Sequence, residues 1–81
     1  MTLEEIFERY PEDEFLKADG FDRAVIGIEP NSMVLVYDRQ IMIDILITDE
    51  DMSEEDAIEY LEYNVYCAYI GEKTPLYIET I

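Results

Sequence analysis

Glu55, Glu59 and Glu62 fall at i, i+4 and i+7, a spacing that lines three carboxylates along one side of a helix. Beside them Tyr60, Tyr63 and Tyr66 form a second row. Grouped carboxylates can move protons or hold metals in an enzyme, or they can recognise a cationic partner. For the first task the chain is poorly equipped, with no His, one Cys and three widely separated glycines, Gly20, Gly27 and Gly71. The usual base near neutral pH, the commonest zinc ligand, a Cys–His nucleophile pair and a Gly-rich phosphate loop are all missing. Asp49, Asp51 and Ser53 begin like a calcium loop, but Glu54 stands where an EF-hand needs Gly and Tyr60 where it needs Glu. No catalytic residue, metal site or cofactor is therefore expected.

Recognition is the chemistry that remains. Tyrosine offers a large contact area with a polar tip and is enriched at binding hot spots. The expected partner-binding residues are Glu55, Glu59, Glu62, Tyr63 and Tyr66. Two plainer readings stay open at this point: the acids form a solvated face that serves solubility, and the tyrosine row is a second core face packed under residues 1–20.

The composition narrows the partner. Against 5 Lys and Arg stand 21 Asp and Glu, a net charge of −16. Sixteen of these acids lie in two segments, 4–22 and 49–62. Such a chain lacks the cations that displace phosphate counterions, so direct nucleic-acid binding is not expected. An anionic membrane surface would repel it. A basic protein surface would attract it over a distance, with a strong dependence on salt. At 49% hydrophobic residues the chain is too apolar for a disordered acidic tail. Its 81 residues suit a single domain, 1–81, read as an acidic helical N-terminal segment, 1–20, and an α+β body, 21–81.

Cys67 is alone and can form no internal disulfide. The start of the chain, Met1-Thr2-Leu3-Glu4-Glu5, has neither the basic residues nor the apolar stretch of a secretory signal. The longest apolar run, 41–47, is broken by Asp44 and far short of the about 20 residues a membrane helix needs. A cytoplasmic location is the expectation, with Cys67 a small buried residue in mid-helix.

Four kinds of local signal place the elements. Thr2 and Glu5 make a capping box for a helix over 2–9, and Glu12–Ala18 offers one or two further helical turns after Pro11. Residues 24–29 and 33–37 flank Pro30-Asn31-Ser32 as a hairpin, with Gly27 marking a bulge or a close neighbour. Residues 39–48 alternate like a strand, yet Asp38 is a good N-cap, and helix is the preferred reading. Ser53 caps a helix over 53–70, whose core face is Ala57, Ile58, Leu61, Val65, Ala68 and Tyr69. Gly71 and Pro75 end it, and 76–80 reads as a last strand. The fold class is α+β, a small antiparallel sheet of hairpin 24–37 and strand 76–80 packed with helices near 2–9, 39–48 and 53–70. The Asn64 amide is expected to bond a backbone group of a neighbouring segment.

Ala24-Val25-Ile26-Gly27, Leu35-Val36-Tyr37, Met52-Ser53-Glu54-Glu55-Asp56-Ala57, Glu62-Tyr63-Asn64-Val65 and Gly71-Glu72-Lys73-Thr74-Pro75 together carry a resemblance. The chain resembles a group of small, uncharacterised bacteriophage-encoded acidic proteins in which a hairpin precedes a helix with the pattern MSEEEA…EYNV…GEKTPI. The likeness covers roughly residues 24–79 and departs at 49–51, where Asp-Glu-Asp lengthens the turn between helices. It implies a phage origin, a host bacterial cytoplasm and a helix at 39–48, and it carries over no catalytic residue. The expected function is a non-catalytic acidic interaction protein that inhibits or modulates a basic host enzyme of nucleic-acid processing or defence, its carboxylates standing in for phosphates. The alternative is a self-associating structural module, a homodimer through the tyrosine face.

Overall fold

A computed structural model describes residues 1–68 and 71–80. The N-terminal helix α1 (Leu3–Arg9) begins at a complete capping box: the Thr2 hydroxyl accepts from the Glu5 N–H, and the Glu5 carboxylate accepts from the Thr2 N–H. Leu3 and Ile6 point into the core and dock α1 on β1 (Val25–Glu29). The chain then leaves the helical path. Residues 12–18, expected to continue it, are irregular, because they are spread across the body. Phe15 packs on Phe7 and Tyr10, and the Ala18 N–H donates to the Tyr37 hydroxyl at 2.8 Å instead of to a helical carbonyl. A single turn without tertiary support is in any case unfavourable to nucleate.

Strands β1 and β2 (Val34–Asp38) form the expected hairpin, antiparallel, with the register shifted between Val25 and Gly27. The bulge thus falls where Gly27 marked it, and the Met1 ammonium donates to the Ile26 carbonyl there. The turn is closed by Glu29, whose carboxylate accepts from the Asn31 and Ser32 N–H groups. Those donors, Ser32 first, hold the Glu29 carboxyl below its usual range. Lys73 reaches across to the same turn and donates to the Ser32 and Met33 carbonyls.

Helix α2 (Arg39–Asp49) follows β2 without a linker. One side chain makes the junction: Asp38 is buried, its Oδ1 accepts from the Gln40 and Ile41 N–H groups, and its Oδ2 accepts from the Thr80 hydroxyl. This cap decides the ambiguous segment in favour of helix, since it satisfies two of the orphan donors of the first turn. Met42, Ile45 and Leu46 then bury one face while Asp44 and Thr48 stay in solvent.

After a turn through Asp51, which takes a left-handed φ of 56°, helix α3 (Glu54–Leu61) starts at Ser53, whose hydroxyl accepts from the Asp56 N–H. A five-residue π-helical turn, Glu62–Tyr66, ends it. The expected helix to residue 70 does not include Cys67 and Ala68, and the part of that expectation falling on Tyr69 and Ile70 lies outside the described residues. Ala57 and Leu61 are buried as expected, Val65 is half-buried, and Ile58 and Ala68 are exposed. Cys67, expected in the core, is exposed because it lies beyond the π-turn.

Strand β3 (Leu76–Ile78) pairs with β2, giving the order β1-β2-β3. Its pairing is parallel, Val36 with Leu76 and Asp38 with Ile78, so the sheet is mixed and not antiparallel throughout. The reason is the connection. Two helices, not a tight turn, carry the chain from β2 to β3, and such a crossover returns a strand in the same direction. The α+β architecture stands. One buried cluster draws on α1, both hairpin strands, α2 and α3.

Candidate functional site

The N-terminal half of α3 is acidic for a physical reason: Glu54, Glu55 and Asp56 occupy the first turn, at the positive end of the helix dipole. With Ala57 and Leu61 fixed in the core, the helix must turn its opposite side to solvent. Glu55, Glu59 and Glu62 are all exposed there. None of them has an ion pair among the described residues.

The tyrosines divide. Tyr60 is 42% exposed and Tyr63 76% exposed, so residues 1–20 do not cover this face. Tyr66 behaves otherwise. Its ring lies 5.2 Å from that of Tyr77, and the Arg39 guanidinium stands 4.2 Å from its centroid. Tyr77 in turn packs 5.5 Å from Tyr37, and the Arg39 Nε donates to the Tyr77 carbonyl at 2.9 Å. The Tyr66 hydroxyl is buried and makes no hydrogen bond among the described residues. Burial raises its pKa, with Arg39 opposing. Of the two expected anchors, then, Tyr63 stands free and Tyr66 is a strut between α3 and β3.

Both lie within the π-turn. Asn64, between them in the chain, donates its side-chain amide to the Tyr60 carbonyl of its own helix and not to a neighbouring segment. A side chain inserted into the helical ladder in this way commonly accompanies a local change of pitch. No sequence signal for a π-turn distinguishes this stretch from an ordinary last turn.

The cations explain why the acidic face keeps its charge. Lys17 pairs with Asp22 at 3.6 Å and Arg23 with Asp49. Arg39 and Lys73 are turned to backbone carbonyls. Four of the five basic residues are thus engaged inside the protein's own framework, and only two of the 21 carboxylates are in ion pairs among the described residues. No family model, curated protein or solved structure matches this chain. The site stands on its own chemistry.

Among the described residues no group of three or more Cys, Asp or Glu is arranged to hold a metal ion. None of the described helices is long and apolar enough to cross a membrane. A surface of fixed negative charge with an exposed aromatic ring can attract, orient and hold a cationic partner.

Spacing alone did not reveal a groove beside α3. Met52 and Tyr60 line it, together with Asp19, Phe21, Ile45 and Leu46 from other parts of the chain. These residues come together only through the crossing of α2, α3 and the 19–21 segment.

Proposed function

We propose that this chain is a small, non-catalytic interaction protein that captures a basic protein surface through the exposed carboxylates of α3. The observation that carries the reading is the pairing pattern: Glu55, Glu59 and Glu62 face solvent with no ion pair among the described residues, while four of the chain's five basic residues are engaged elsewhere. Charge of one sign on one face speeds encounter and selects partners of opposite sign. Tyr63 supplies contact area once the partner has arrived. The resemblance to bacteriophage-encoded proteins supports a bacterial cytoplasm as the setting. A nucleic-acid-processing or defence enzyme, with a channel built for phosphates, is the partner class that such an array suits.

The test is the triple variant Glu55→Gln, Glu59→Gln and Glu62→Gln. It keeps side-chain shape, so circular dichroism is expected to match the parent. Three exposed charge pairs contribute about 1–3 kcal/mol together, a loss of about 5- to 150-fold in partner affinity. Unchanged affinity would remove the carboxylate row from the account.

Self-association is favoured by a different observation from the tyrosine row. Leu76 and Ile78 are 44% and 38% exposed, on the sheet face opposite Tyr37 and Tyr77, beside Val36. Gly27 lies opposite Val36 and adds no side chain. An apolar strip of this kind, with Asp38 buried beside it, is one surface on which two highly acidic chains can meet. A dimer by light scattering in 0.5 M salt, broken by Leu76→Glu, is the result this second reading requires; a monomer at every salt concentration eliminates it.

A further inference from the structure

The surface between α2 and α3 holds more than charge. A depression of about 430 Å³ opens there, within the size range of pockets that hold small ligands. Its floor is apolar: Phe21, Ile45 and Leu46 are buried beneath it, and Met52 and Tyr60 form its wall. Asp19, Asp49 and Glu50 stand at its rim. A second, shallower depression shares Met52 and Tyr60 and continues to Tyr63, bordered by Asp56 and Glu59. The two make one groove. Of its five bordering carboxylates only Asp49 has an ion pair among the described residues, with Arg23.

We propose that this groove is the seat of a basic amphipathic segment of the partner, its aliphatic side chains against Phe21, Met52 and Tyr60 and its Lys or Arg heads at the carboxylates. The inference rests on the reading of the chain as an acidic interaction protein and gives that reading a place and a ligand chemistry. Apolar floor and anionic rim occur together, which excludes a purely apolar occupant and disfavours a purely polar one. Lys and Arg satisfy both demands at once, since their aliphatic stems cover apolar surface while their heads reach the charge. The exposed faces of Tyr60 and Tyr63 add cation–π attraction. Peptides that combine an apolar stripe with anchors of one charge are bound in grooves of this type.

The experiment uses a fluorescein-labelled helical peptide of leucine and lysine with an amphipathic order, and a second peptide of the same composition in shuffled order. Anisotropy titrations against the full chain are expected to give about tenfold tighter binding for the amphipathic order. Tyr60→Ala and, separately, Glu50→Gln change exposed side chains and are each expected to weaken it by about fivefold or more. The shuffled peptide should be little affected by Tyr60→Ala. Equal binding of both peptides, indifferent to Tyr60→Ala, overturns the groove while leaving the acidic-surface reading in place. No binding of either peptide at low salt overturns both.

Discussion

Tyr37→Ala is expected to lower stability by about 3–5 kcal/mol, the range for truncating a large buried aromatic residue. Tyr37 is fully buried, packs on Tyr77, and accepts the Ala18 N–H through its hydroxyl. It therefore joins three parts of the chain: the hairpin, the last strand and the irregular segment that follows α1. Against a total of about 5–15 kcal/mol for a domain, the loss is large. Tyr37→Phe separates the two contributions. The ring stays, the half-buried Ala18 N–H loses its acceptor, and the cost falls to about 1–2 kcal/mol. Urea unfolding of both variants measures the difference. A Tyr37→Phe variant as stable as the parent would mean that the bond to Ala18 contributes nothing.

The second large effect is alkaline. Burial pushes the Tyr37 pKa from 10.0 up to about 12, with the Ala18 hydrogen bond opposing. In the unfolded chain the phenol gives up its proton near pH 10, while the folded chain retains it. The unfolded state then binds fewer protons, and stability falls as pH rises. The contribution is fully present below pH 10 and lost progressively as pH approaches 12, on the order of 2–3 kcal/mol for this one residue. Tyr66 and Tyr77, raised chiefly by burial, act in the same direction. Urea midpoints between pH 9 and 12 are expected to fall for the parent and to fall less for Tyr37→Phe. Parallel curves would show that Tyr37 titrates normally in the folded state.

The elements that could be read from the residues are those fixed by neighbours in the chain. Thr2 with Glu5, Asp38 and Ser53 each cap a helix through donors two or three residues away, and Gly27 marks a bulge within its own strand. What could not be read depends on segments far apart. Strand β3 is parallel because of where α3 delivers the chain, and residues 12–18 lose helix because Tyr37 takes the Ala18 N–H. Tyr66 turns inward because Arg39 and Tyr77, 27 and 11 residues distant, offer it a cation and a ring. The same distinction applies to the site. The exposure of Glu55, Glu59, Glu62 and Tyr63 follows from helical periodicity once Ala57 and Leu61 are buried. The groove does not, since its lining joins residues 21, 45, 46, 52 and 60.

Binding of a basic protein by the exposed carboxylates of α3 and the π-turn has a direct test. It is tested most directly by parallel capture from bacterial lysate on the immobilised parent chain and on the Glu55→Gln, Glu59→Gln, Glu62→Gln variant, with elution by a salt series and identification of what elutes. A basic, nucleic-acid-binding protein is expected to be held by the parent, released by rising salt or by added DNA, and lost from the variant. The same proteins held equally by both chains, or none held by either, would contradict it.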